Sequence, residues 1–417
     1  MRWRKQLSLL AVPALITTAC RDGATAPLST SAVDADRGGR GFPTGQPSAD
    51  ILQSLPVANV EQLYAAVNDV ANAGRQIVLS PGTYVLSATD GSGAARPNAG
   101  RLELQLNMSL DGVEGDRSAV VIDASTLPAS AFNVSFGRTA PVRIGRGSNS
   151  VEWLTIVGNS AAAAGIATEL TGTPTTDVRV AHVSAGGSSR GIDIRNVGVP
   201  MVGRRINAEV LDNEFIGPSE VIGMTEGIRV ANFVGADAGI VVATMSGNRA
   251  HGFQLGLIVA NNRTSNSTID VSSAGDRYYG NALGALITGG LSQATSGVAN
   301  SNTTTFVAHG TQFVDNTADI PGIDRGGVRL VAGLSTVKAD ATSNNTLKVD
   351  LWGSKIAGNE PVDFEAYGAF KASTPGIAGT NNHTTITLHG VSRQIDGVIL
   401  PSFPTDAGGT NTVTVIR

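Results

Sequence analysis

Six times between residues 165 and 331 a glycine opens a stretch in which apolar and polar residues alternate. The copies begin at Gly165, Gly191, Gly227, Gly256, Gly284 and Gly327. The residue after each glycine is Ile166, Ile192, Ile228, Leu257, Ala285 or Val328. Two positions further on stand Thr168, Ile194, Val230, Val259, Ile287 and Leu330. A period of two describes a β-strand with one face turned inward, so both positions are assigned to a core. The intervening residues, among them Asp193, Arg195, Arg229 and Arg329, go to the opposite face. The copies recur every 26 to 43 residues, a spacing that predicts a solenoid or propeller of equivalent strands.

A second register runs alongside. Asn159, Asn213, Asn248, Asn316 and Asn359 each follow Gly or Asp, and three residues before them stand Ile156, Val210, Met245, Phe313 and Ile356. Asn and Gly accept left-handed backbone, so these are turns between strands. Stacked coils would place the asparagines in one ladder, each amide bonded to the next. With 51 Gly, 15% charged and 5% aromatic residues in 417, and short runs rich in Val, Ile and Thr, the chain reads as one elongated all-β domain over residues 51–417. Roughly nine turns at about 4.8 Å give a rod on the order of 40 Å long.

The entry to the repeats adds a helix. Val60, Leu63, Val67 and Val70 share one face, Asn59 is placed to cap the start, and Gly74 to end it. Ile77 to Leu79 then read as a strand running into a Pro81-Gly82 turn before Tyr84. This helix, strand and turn resemble the opening of right-handed, single-stranded parallel β-helices of the pectin lyase-like superfamily. The resemblance spans about residues 57 to 395 and implies a short capping helix over the end of the core.

The first 20 residues have the pattern of a secretory leader: Arg2, Arg4 and Lys5, then an apolar stretch from Leu7 to Ile16 too short to span a membrane as a mature helix. Thr17-Thr18-Ala19-Cys20 resembles a bacterial lipoprotein cleavage site, with Thr17 where Leu is usual. Cys20 is the one cysteine of the chain, which excludes an internal disulfide and fits a lipid acceptor. Residues 21–50 then form a flexible tether. The expected location is the bacterial outer membrane or cell surface, with secretion as the alternative. Loss of the leader leaves 27 Lys and Arg against 34 Asp and Glu, a mildly acidic balance that gives no reason to bind nucleic acid.

Relatives of this kind often act on acidic polysaccharides, by elimination or by hydrolysis. Elimination needs a cation for the uronate carboxylate and a base; hydrolysis needs two carboxyl groups flanking the bond. The residue patterns of the pectin-hydrolysing and Ca²⁺-dependent pectate-cleaving relatives are absent. His251-Gly252, His309-Gly310 and His389-Gly390 lack the preceding glycine, and Arg96-Pro97 has the wrong spacing. The register supplies another candidate. It sets Arg190 beside Glu226, Asp193 beside Arg229, and Glu169 beside Arg195 on successive strands about 4.8 Å apart. As cross-strand surface pairs these contribute under about 1 kcal/mol each. As a functional group, Arg190, Arg195 and Arg229 clamp an anionic sugar while Glu226 or Asp193 performs acid–base work.

Glu209, Asp212 and Glu214 cluster at one turn and are the candidate oxygen ligands for Ca²⁺. Tyr278 and Tyr279, after Asp276-Arg277, are the candidate aromatic platform for sugar rings. The five histidines have no metal-ligand spacing. Ser292 to Thr305, rich in Ser, Thr and Asn, is read as a loop over a cleft or a bulge. Two functions remain: a surface-anchored polysaccharide lyase or glycoside hydrolase, and a non-catalytic β-helix that binds glycan or builds the cell envelope.

Overall fold

A computed structural model describes residues 53–417 apart from 133–138, 171–172, 198–202, 220–222, 293–297, 321–324, 336–341, 372–378, 392–396 and 404–409. The leader, Cys20 and the tether lie outside the described residues. Within them the chain winds through a 12-stranded, a nine-stranded and a ten-stranded sheet in turn. One coil runs Thr175–Ala181, Ser184–Gly186 and Arg190–Val197 before returning to the first sheet at Arg205–Leu211. Each strand pairs in parallel with its counterpart one coil away. Twelve coil positions, more than the nine expected, extend the stack to on the order of 50 Å.

The core register is the one the alternation predicts. Ile166, Ile192, Ile228, Leu257, Ala285 and Val328 are successive partners across the ten-stranded sheet. All lie in one buried apolar cluster with Ile194, Val230, Val259, Ile287 and Leu330. Thr168, the polar residue of its column, is buried too; its hydroxyl accepts from the Arg195 amide at 2.7 Å and donates to the Arg195 carbonyl at 3.0 Å.

The capping helix spans Val60–Asn68, with the Asn59 side chain accepting from the Gln62 amide at 3.0 Å. Leu63, Tyr64, Ala66 and Val67 are its buried face. It stops short of Gly74 because Asp69 leaves helical conformation and caps a separate turn, Val70–Asn72, by accepting from the Ala71 amide. Val70, assigned to the buried face by spacing, is therefore 75% exposed.

The asparagines form several ladders rather than one. Where the 12-stranded sheet turns into the nine-stranded one, Asn213 Nδ2 donates to Asn248 Oδ1 at 2.9 Å, and Asn248 Nδ2 to Asp276 Oδ1 at 2.8 Å. At the next corner Asn281, Asn316, Asn359 and Asp363 are linked in the same way, and Asn159 belongs there as well, donating to the Leu127 carbonyl. The third corner stacks Asn302, Asn345, Asn382 and Asn411. The first two corners share one local solution, a left-handed Asp or Gly before the Asn (Asp212, Gly247, Asp315, Gly358). The dipeptide therefore marks a corner without saying which.

Asp276 ends the first ladder with a carboxyl where its neighbours have amides. Burial pushes it up to about 6, against the opposing pull of its hydrogen bonds with Ser273 and Asn248. The folded chain holds this proton more tightly than the unfolded chain does. The group's contribution is thus fully present below its ordinary range and is lost as pH rises to about 6. Asp276→Asn keeps an oxygen for Asn248 and removes the titration. We expect it to gain about 2–3 kcal/mol at pH 7 and little at pH 4, read from urea unfolding at both values. A parent–variant difference that does not change with pH would refute the assignment.

Candidate functional site

The outer face of the ten-stranded sheet carries the predicted charge pairs. The register sets Arg190 opposite Glu226 and Asp193 opposite Arg229. Arg190 Nε lies 2.7 Å from Glu226, and Arg195 lies 3.2 Å from Glu169. Asp193 instead contacts Arg195 of its own strand at 3.4 Å, while Arg229 turns to Glu226 at 2.5 Å. The network continues upstream through Arg143, which contacts Glu169 at 3.4 Å and pairs with Glu103; Arg101 is 3.7 Å from Glu103. Sequence reading missed these three because their strands lack the opening glycine, although Leu102-Glu103 and Val142-Arg143 show the same alternation.

These groups are not solvated surface pairs. Asp193 and Glu226 are 0% exposed, Arg229 6% and Arg195 7%. Charges from successive coils lie against one another, and Phe233 lies 5.2 Å from the Arg195 guanidinium. The carboxyls differ in their balance. Burial pushes Glu226 and Asp193 up, but the nearby guanidiniums outweigh it and hold both below their ordinary range. At Glu169 burial outweighs Arg195 and the Thr139 amide, and the carboxyl is raised. Both Asp193 oxygens are buried and accept no hydrogen bond from the described residues. Further along the same face a second apolar cluster, including Leu255, Ile258, Leu283, Leu286, Val331 and Tyr367, separate from the coil interior, is joined by one more largely buried ion pair, Arg329 with Glu365 at 2.5 Å.

The other candidates separate. Glu209 pairs with Arg179 at 2.7 Å, Asp212 sits at a corner with φ 52°, and Glu214 lies on the nine-stranded sheet 3.9 Å from His251. Among the described residues no three His, Cys, Asp or Glu side chains are grouped to hold a metal ion, so the Ca²⁺ expectation loses its site. Tyr278 is fully buried against Phe313 and cannot serve as a platform. It is the middle residue of the strand Arg277–Tyr279, and alternation sends the two tyrosines to opposite faces. Ser292 ends one strand and Thr303 begins another, which shortens the expected loop from both sides; 293–297 lie outside the described residues.

An open cationic row lies elsewhere, on the outer face of the nine-stranded sheet. Arg249, Arg277, Gln312 and Lys355 are partners in register on successive strands, and all four are exposed. Beside them lie Tyr279 and His251, their rings 4.9 Å apart, with the Arg277 guanidinium 4.5 Å from the Tyr279 ring. A signal was present in the sequence: each cation directly follows a corner residue, in Asn248-Arg249, Asp276-Arg277 and Ser354-Lys355.

The architecture is a right-handed parallel β-helix, here with one buried ionic face and one exposed cationic strip. No family model matches the chain, and no curated protein matches it. Among solved structures it is similar to the A-module of mannuronan C-5 epimerase AlgE6 from Azotobacter vinelandii, with 15% identity over 86% of this chain and 93% of that one and a TM-score of 0.39. The A-module of mannuronan C-5 epimerase AlgE4 from the same organism aligns at 17% identity over 87% and 100% of the two chains, with a TM-score of 0.36. Pectate lyase Pel9A aligns at 13% over 80% and 72%, with a TM-score of 0.34. These likenesses concern the coiled architecture alone.

Proposed function

We propose that the protein recognises acidic polysaccharide at the bacterial cell surface, holding it along the nine-stranded sheet without cleaving it. The row Arg249, Arg277 and Lys355 carries this reading. Guanidinium groups suit bidentate contact with carboxylates, and a stacked coil repeats them along one axis, as a linear polyanion requires. Tyr279 supplies a ring beside them for sugar stacking. Anchoring through a lipid on Cys20 completes the proposal.

The test uses the full chain carrying Cys20→Ser, which should leave the membrane fraction in which the parent is retained. Calorimetry with polygalacturonate should give binding that weakens as salt rises, because exposed charges are screened within about 10 Å at 0.1 M ionic strength. Arg249→Gln with Arg277→Gln should lower affinity about 5- to 30-fold with little change in thermal midpoint. Binding that ignores both salt and the double substitution would overturn the proposal.

A second reading places lyase or hydrolase chemistry on the buried network, with Arg190, Asp193, Arg195, Glu226 and Arg229 as its groups. One observation favours it: Glu169 is raised while Asp193 and Glu226 are lowered, the kind of split that separates a proton donor from an ionised carboxylate. New ultraviolet-absorbing double bonds or reducing ends released from the same polymer would move the function to that face.

A further inference from the structure

One residue makes the corner between the 12- and nine-stranded sheets, and from coil to coil it adopts left-handed backbone. In five coils it is Gly247, Gly275, Gly310, Gly353 or Gly390; in three it is Trp153 (φ 56°), His182 (φ 56°) or Asp212 (φ 52°). Glycine takes this conformation without strain, whereas a bulky side chain is held there only by its surroundings, and such strain gathers at functional sites. The Trp153 and His182 rings stack with centroids 3.8 Å apart at 14°. With Asp116, Arg117, Ser118 and Asp212 they line a pocket of about 400 Å³. Arg117 is half-buried there, and its guanidinium donates one long hydrogen bond, 3.4 Å, to the Asp212 carbonyl. The Asp212 carboxylate is 60% exposed.

We propose that this pocket binds a single hexuronate residue. The pyranose ring packs against the side of the Trp153–His182 stack that lines the pocket, its carboxylate meets Arg117, and a hydroxyl donates to Asp212. The proposal rests on the reading of acidic-polysaccharide recognition and adds a subsite to it: Asp212 lies one coil before the corner that leads into Arg249.

The test takes the full chain with Trp3→Phe and Trp352→Phe, which leaves Trp153 as its one indole, and titrates tri-galacturonate against neutral galactotriose. The uronate should shift the Trp153 emission and the neutral sugar should bind more weakly; Arg117→Gln should abolish that difference. His182→Gly should lower affinity about tenfold, as loss of a ring contact does, while the thermal midpoint holds or rises because glycine suits the corner. A Trp153 emission insensitive to tri-galacturonate overturns the pocket, and so does a His182→Gly variant with a lower midpoint and intact binding. Polymer binding that still depends on Arg249 and Arg277 would in those cases leave the strip standing. Loss of both would remove the acidic-polysaccharide reading as well.

Discussion

Arg229→Gln should destabilise the protein by about 3–5 kcal/mol, far more than loss of a surface ion pair. Glu226 is fully buried between Arg190 at 2.7 Å and Arg229 at 2.5 Å. Removing one guanidinium leaves a desolvated carboxylate with half its compensation, and that residual charge, more than the lost attraction, sets the cost. The double substitution Arg229→Gln with Glu226→Gln should recover part of the loss, giving a coupling that a double-mutant cycle reads directly. Glu226 is held below its ordinary range in the folded chain, so its stabilisation is present above that range and fades as pH falls through the lower folded value. The gap between parent and Arg229→Gln should therefore narrow in acid. Urea unfolding at neutral and acidic pH is the measurement; a neutral-pH loss under about 1 kcal/mol would show that the pair behaves as an exposed one.

Ile228→Ala, one residue away on the other face of the same strand, should cost about 2–5 kcal/mol by a different route. Ile228 sits between Ile192 and Leu257 in the interior column, and all three are fully buried. Truncation removes buried methylene and methyl groups and leaves a cavity that the fixed coil spacing keeps from collapsing. Its cost should not vary with pH, which separates it from Arg229→Gln in the same unfolding experiments. A loss below about 1 kcal/mol would mean that the column is loosely packed at this coil.

The fold was legible because period-two alternation reports which side of a strand a residue occupies, and the glycine spacing reports which strands are equivalent. Ile192, Ile228 and Leu257 follow from those two facts, as does Arg190 opposite Glu226. Alternation says nothing about what lies against the outward side. The burial of Asp193, Arg195 and Arg229 was therefore invisible, and they read as surface charges. The Gly-Asn and Asp-Asn turns show why two ladders read as one: corners with the same backbone demand use the same residues. Tyr278 and Tyr279 were separable in principle, since neighbours on a strand face opposite ways. The strip of Arg249, Arg277 and Lys355 escaped notice because it rides on three-residue strands, too short for a periodic signal of their own.

Strand pairing in this stack reaches one coil forward and one coil back within each sheet, so the molecule's interactions form a line rather than a web. Changes two or more coils apart share few neighbours, and their energies should combine nearly independently. The interior columns then act as a constant support on which outward residues vary coil by coil. The same scaffold holds a buried ionic face at one stretch, an apolar one at the next, and open cations around the corner. In such a chain new surfaces are acquired by local rewriting, without renegotiating the whole structure.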